Sequence, residues 1–488
     1  MLFDATAVLI ASLTVATVTG PYVVLENSVV HPPAVGVASV HVREIGLPGA
    51  GDVALVPSIP SIPGSGVPAF VLPTLTDRTS AAPLAAPLTA APAPTSPLGE
   101  LSGSALLTAL AAHPAAFVNE VVASQPGGLH ALVESLPGAP QVRGWWTGLD
   151  SATQRTIMLA APEVIGNLDG IPVAVRNDAN RHVLRSTIRE LELADGSVGR
   201  SIEIHNQHRL QMLYAVADAL GPVTANPPRT LLQLDTYDQG TVAIAFGDLE
   251  TADYVSYLMP GMFITVGGNV VEWADTAARL YDEQVSWLSL LAEVGASDEV
   301  ETVATVAWIG YQTPHLLNVG SLDLAYEGRD AIASAIDGLQ TIRGSDQPFI
   351  ALLAHSYGST AAMLALEEST TVDALAIIGS PGAPASTVDD LNVRGDVFVG
   401  EAAWDPIPNS SFFGSDPGSA EFGARVMSVA GVVDVITNRV LAASVGHNEY
   451  FSPGTESMRN LALIGIDKGE LVTDGSQRDA GRTLALLL

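Results

Sequence analysis

One run, Phe349–Ile350–Ala351–Leu352–Leu353–Ala354–His355–Ser356–Tyr357–Gly358–Ser359, constrains this chain more than anything else in its sequence. It begins as an unbroken apolar strand, which needs cover on both faces and so belongs inside a sheet flanked by helices. It reaches a serine and continues into Thr360–Ala361–Ala362–Met363–Leu364–Ala365–Leu366, which favours helix. A strand that turns directly into a helix holds the residue at its apex in a strained backbone conformation. The positions two before and two after that apex must then be small, and here they are Ala354 and Gly358. The common form of the turn has glycine at the first of these; alanine still fits. Ser356 therefore projects from the end of a central strand.

The rest of the C-terminal half fits the same plan. Short β-rich runs occur at Thr241–Phe246, Tyr254–Met259, Thr302–Ile309, Val372–Ile378 and Val397–Ala402. Helical stretches lie between them at Val270–Leu291 and Gly328–Ile342, the latter with Ile332, Ile336, Leu339 and Ile342 on one face. Apolar strands alternating with amphipathic helices predict an α/β domain over residues 226–488, built on a mostly parallel sheet with helices on both faces. No internal repeat stands out.

Ahead of it, residues 101–225 read as helical. Leu210, Leu213, Ala217 and Leu220 share one face, as do Leu184, Ile188 and Leu191, with Asp178 as a candidate N-cap. Trp145 and Trp146, side by side, read as a packing anchor. Residues 26–100 read as a linker, because ten of the 32 prolines fall between Pro57 and Pro97 with Asp77 and Arg78 as the only charges there. An irregular arm lying on the folded part is the alternative. Ala5–Leu25 carries no charge and has the length of a membrane or export segment, yet no basic residue precedes it. Two readings stay open: an envelope-bound or secreted protein attached through residues 1–25, or an unusual apolar start.

Charge narrows the partners. With 21 basic and 52 acidic residues the formal net charge is −31, and Lys468 is the only lysine. Phosphate backbones need clustered Lys and Arg, so nucleic acid is excluded as a partner. The absence of cysteine removes disulfides, thiolate metal sites and cysteine nucleophiles. His205 and His208 could face one metal ion from a helix, but no Glu follows His205 and no third ligand suggests itself. They read as a solvated helix face. No cofactor or metal is expected.

A serine becomes nucleophilic when a histidine takes its proton and an acid orients that histidine. Downstream of Ser356 the only histidine is His447. The strand from Val397 leads to Asp405, the preferred acid, with Asp389 and Asp416 as alternatives. An oxyanion needs two N–H donors. Tyr357, directly after the serine, supplies one, and the turn Pro260–Gly261–Met262 after Tyr254–Met259 could present the other at Met262. His355 reads as a packing or supporting residue behind the serine.

The core Ala354–His355–Ser356–Tyr357–Gly358–Ser359 resembles the Gly-His-Ser-Tyr-Gly-Ser core of an actinobacterial α/β-hydrolase family long filed as a domain of unknown function. Ala307–Trp308–Ile309–Gly310–Tyr311, Gly379–Ser380–Pro381–Gly382, Trp145–Trp146, Ile165–Gly166–Asn167–Leu168–Asp169–Gly170–Ile171–Pro172 and Ala179–Asn180–Arg181 are similar to it as well. The resemblance covers roughly Leu101–Tyr450. It implies an α/β-hydrolase fold preceded by a helical unit, and a triad of Ser356, Asp405 and His447. The expected activity is hydrolysis of a carboxylic ester or thioester, with a small-molecule or lipid-like acyl ester as substrate. A non-catalytic envelope module and an acyltransferase are the rival readings. With little room for an insertion between Pro381 and Arg394, residues 101–225 are expected to cap the site.

Overall fold

The structure, a computed structural model, describes residues 103–114, 137–194, 199–236, 238–293, 295 and 301–476. The segments read as an apolar start and a proline-rich linker, 1–25 and 26–100, lie outside the described residues. Helices come first: α1 (Gly103–Ala112), α2 (Ala139–Thr147), α3 (Ser151–Ala160), α4 (Pro162–Ile165), α5 (Val173–Leu193) and α6 (Arg200–Leu220). Asp178 is not the N-cap of α5. Pro172 precedes the helix and Asp178 sits within its second turn, because proline lacks an N–H and its fixed φ suits a helix start.

Strands then alternate with helices: β1 (Arg229–Asp235), β2 (Thr241–Phe246), β3 (Tyr254–Met259), α7 (Val266–Glu293), β4 (Val303–Ile309), α8 (Asp323–Arg343), β5 (Phe349–His355), α9 (Tyr357–Glu367), β6 (Ala374–Ile378), β7 (Val397–Gly400), β8 (Arg425–Val426), β9 (Val432–Val433), β10 (Val440–Leu441) and α10 (Glu456–Ile464). The main sheet runs β1-β2-β4-β3-β5-β6-β7-β8. β2 is antiparallel to both β1 and β4, and every other neighbouring pair is parallel. This is the strand order of the α/β-hydrolase fold. β2 to β6 are buried along their whole length apart from the two ends of β5, as strands covered on both faces must be.

The two faces carry separate cores. Ile332, Ile336 and Leu339 of α8 and Ala361, Ala362 and Ala365 of α9 cover one face; Trp273, Leu280 and Trp287 of α7 and Leu461 of α10 cover the other. Leu213, Val216 and Leu220 of α6 join the second core, so the helical N-terminal unit is partly a layer of the domain itself.

β1 was not anticipated from the sequence, and the helical unit explains why it forms. β1 is an edge strand with a bulge between Leu231 and Gln233. Edge strands leave a row of backbone groups without partners. Asn167 answers both groups of Leu234, donating from Nδ2 to its carbonyl at 2.9 Å and accepting its N–H at 2.8 Å. Asn180 Nδ2 donates to the Leu231 carbonyl, Asn177 Oδ1 accepts the Leu231 N–H, and Arg181 donates to the Arg229 carbonyl. The amide side chains of the segment 165–181 thus stand in for a neighbouring strand.

Candidate active site

The turn after β5 holds Ser356 at φ 54°, ψ −131°, a conformation that L-residues adopt only when their surroundings force it. The small residue two positions later is required by close approach. A Cβ at Gly358 would lie 2.3 Å from the Pro260 carbonyl oxygen. The turn is tied from below by hydroxyls: Ser359 Oγ donates to the Ser356 carbonyl at 2.6 Å and lies 2.7 Å from Ser380 Oγ. Ser380 sits in the loop after β6 and accepts the Gly382 N–H.

His447 arrives on the segment that follows β10. Its Nε2 is 2.8 Å from Ser356 Oγ, and its Nδ1 is 3.0 Å from both carboxylate oxygens of Asp405. A carboxylate can only accept, so Nδ1 carries the proton and Nε2 is free to accept the serine hydroxyl proton. Asp405 lies in the loop after β7. Its side chain is shut off from solvent, and burial raises its carboxyl. Hydrogen bonds from His447, the Tyr450 hydroxyl and the Ile407 N–H outweigh that and hold it below the ordinary carboxylate range. The other two acids weighed from the sequence are elsewhere: Asp389 is exposed in a short turn, and Asp416 caps its own turn through the Gly418 N–H.

Tyr357 begins α9, so its N–H has no acceptor within the helix. Across from it, Gly261 comes so near the serine that a Cβ there would sit 2.6 Å from Ser356 Cβ. Met262 lines the same small cavity as Ser356 and Tyr357, and its N–H has no protein acceptor among the described residues. The turn is fixed by the Tyr311 hydroxyl, which donates to the Pro260 carbonyl at 3.0 Å.

Two residues near the triad carry more than the sequence suggested. His355 Nε2 lies 2.7 Å from the His447 carbonyl oxygen, and the two rings are 4.7 Å apart. Burial, together with the neighbouring His447, pushes the His355 imidazole down to about 3, so it stays neutral and donates from Nε2. The Tyr450 hydroxyl donates to Asp405 Oδ2 at 2.6 Å and accepts the Ala402 N–H at 2.9 Å. Tyr450 escaped notice in the sequence; its spacing from His447 was the only signal, and that spacing means nothing without the turn between them.

The cavity at Ser356 measures only about 10 Å³ and is lined by Met262, Val319, Tyr357, Pro381, Ile407 and Phe413. None of these comes from residues 101–225. The described helices of that unit are engaged along β1 and on the sheet's flank, and the loops after β4 and β7 line the cavity at the serine. His205 and His208 stand exposed on α6 and line a separate cavity of about 430 Å³ with Arg209, Asp238, Thr265 and Gly267. No cluster of three or more potential metal ligands exists among the described residues.

Strand order and the strained strand-to-helix turn at Ser356 together define an α/β-hydrolase fold. Residues 235–415 match the family described as alpha/beta hydrolase, and the relatives are mycobacterial, in line with the resemblance read from the sequence. An uncharacterized protein of Mycobacterium tuberculosis is 29% identical over 394 residues, covering 69% of this chain and 57% of that protein. The chain thus spans under two thirds of that relative's length. An uncharacterized protein of Mycobacterium bovis is 28% identical over 263 residues, which cover 52% of this chain and 94% of the relative. Among solved structures, a hyperthermophilic esterase from the archaeon Pyrobaculum calidifontis covers 60% of this chain and 97% of its own at 15% identity and a TM-score of 0.31. A thermostable esterase from Pseudomonas putida covers 59% and 97% at 12% identity and a TM-score of 0.28.

Proposed function

We propose that this chain is a serine hydrolase that cleaves a carboxylic ester or thioester through an acyl-enzyme on Ser356. The observation that carries the reading is the unbroken hydrogen-bonded series Ser356 Oγ, His447 Nε2, His447 Nδ1 and Asp405. Ser356 Oγ attacks the acyl carbonyl carbon while its proton passes to His447 Nε2. The imidazolium so formed is stabilised by Asp405, which stays ionised. The carbonyl oxygen, now an oxyanion, accepts the N–H groups of Tyr357 and Met262. As the C–O or C–S bond breaks, Nε2 returns the proton to the departing alcohol or thiol. Water then attacks the acyl-enzyme, gives its proton to Nε2, and Ser356 leaves with that proton while the free acid departs. The steps need no group beyond the chain and water.

The test is labelling by a serine-directed fluorophosphonate combined with turnover of p-nitrophenyl esters. Ser356→Ala should abolish both with thermal stability nearly unchanged, and Asp405→Asn should lower turnover by about 10⁴ by leaving His447 in the wrong tautomer. Unlabelled wild-type protein, or a Ser356→Ala variant with near wild-type turnover, would sink the reading.

A further inference from the structure

The cavity beside Ser356 is walled by five apolar side chains and Tyr357, and the walls are tied in place. Met262 follows Pro260, whose carbonyl accepts the Tyr311 hydroxyl, and the next residue, Phe263, donates its N–H to the Pro314 carbonyl at 3.1 Å. Val319 stands on the loop after β4. The Tyr357 hydroxyl holds that loop, donating to the Ser321 carbonyl at 2.7 Å and accepting the Ala325 N–H at the start of α8 at 3.0 Å. The Pro381 carbonyl accepts the Phe412 N–H at 2.9 Å, so the loop after β6 is fastened to the loop after β7. On the latter, the Ile407 N–H is held by Asp405 at 3.0 Å, and the Phe413 ring packs edge-on against Tyr357.

Position and size say what such a cavity receives. A leaving alcohol or thiol takes its proton from His447 Nε2, so it must stand beside that ring. Neither His447 nor its neighbours in the chain line the cavity, whereas Ser356 and the two residues assigned to the oxyanion, Tyr357 and Met262, do. The cavity therefore lies on the acyl side of the serine. Its volume of about 10 Å³ holds roughly one water or one methyl group. Besides Ser356, the one hydrogen-bonding side chain among its lining residues is Tyr357, whose hydroxyl is engaged with Ser321 and Ala325. The walls thus offer no partner to a hydroxyl, amine or carboxylate on an acyl chain. Val319 and Ile407 are 3% and 2% exposed and belong with Met262 to one packed core, which resists widening.

We infer that this cavity is the acyl subsite and that it takes an unsubstituted acetyl group, with Phe413 and Ile407 closing it to longer chains. The inference rests on the proposed function, since an acyl subsite needs an acyl-enzyme to form on Ser356. In a fitted apolar pocket one methylene is worth about 10–200-fold in kcat/KM. A longer chain must push aside Phe413, packed on the residue that donates to the oxyanion, or Ile407, whose N–H is bound to Asp405. Excess length therefore disturbs the reacting groups as well as the fit.

The test compares kcat/KM on p-nitrophenyl acetate, butyrate and hexanoate, which share one leaving group. Acetate should exceed butyrate by about tenfold or more, with hexanoate lower still. Phe413→Ala and Ile407→Ala should each raise the hexanoate-to-acetate ratio by about tenfold or more. Both esters are read on the same sample, so the ratio does not depend on how much of a variant is folded. Wild-type protein that turns over butyrate or hexanoate as fast as acetate, or a ratio that neither substitution moves, would overturn the acetyl limit and leave the hydrolase reading standing. No turnover of any ester together with no fluorophosphonate labelling defeats the proposed function, and the acyl subsite with it.

Discussion

The Tyr450 hydroxyl bridges two parts of the site, accepting from Ala402 at the end of the strand that delivers Asp405 and donating to Asp405 itself. Burial pushes its own ionisation well above the usual phenol range, so it remains a donor throughout the working pH. A hydrogen bond to a charged group contributes about 1.5–3 kcal/mol. Tyr450→Phe keeps the ring and removes both bonds, so kcat/KM on a soluble ester should fall roughly ten- to hundredfold. The same variant has a pH signature. Asp405 is depressed in the folded state, so its contribution to stability is present above the unfolded value of about 3.9 and is lost as pH falls through the folded one. Tyr450→Phe shrinks that depression. The stability gap between wild type and variant should therefore be full at neutral pH and narrow toward pH 3 in denaturant titrations. A gap that is constant with pH would mean Tyr450 supports only packing.

At the scale of elements, the described helices before the sheet act as the missing neighbour of β1. Asn180 is fully buried and spans the Gly166 and Leu231 carbonyls; Asn167 pairs with both backbone groups of Leu234. Asn180→Leu should remove the side-chain donor to the Leu231 carbonyl and leave the Gly166 carbonyl to Arg176 Nε alone, at a cost of about 1–3 kcal/mol. Turnover per folded molecule should stay within twofold, since neither asparagine lines the serine cavity. Thermal unfolding alongside active-site titration measures both quantities; a large loss of kcat at unchanged stability would return the helical unit to the site. A chain starting at Pro227 is expected to aggregate, because it would bare the β1 edge and the apolar faces left by α6.

At the scale of the molecule, the described contacts of the site fall between Pro260 and Phe451. A chain beginning at residue 101 should thus keep the kcat/KM of the full chain on soluble esters. A loss beyond about threefold would show that residues 1–100 reach the site. Much of this architecture was legible beforehand because it is written in local pattern. Two-face-buried strands such as Phe349–Ala354 must be unbroken apolar runs, and the tight turn after them must have small residues on either side of Ser356. Chain order left one histidine, His447, to meet that serine. What the sequence could not decide depends on atoms brought together across long separations. β1 is a strand because Asn167 and Asn180 answer its backbone, so its own mixed residues gave no period to read. Asp405 rather than Asp389 or Asp416 faces His447 because the loop after β7 turns through the left-handed Trp404, a bend no local pattern announces. The place of Leu213, Val216 and Leu220 in the sheet's second core has the same kind of reason: an amphipathic helix declares an apolar face, while only the packed sheet determines which surface that face meets.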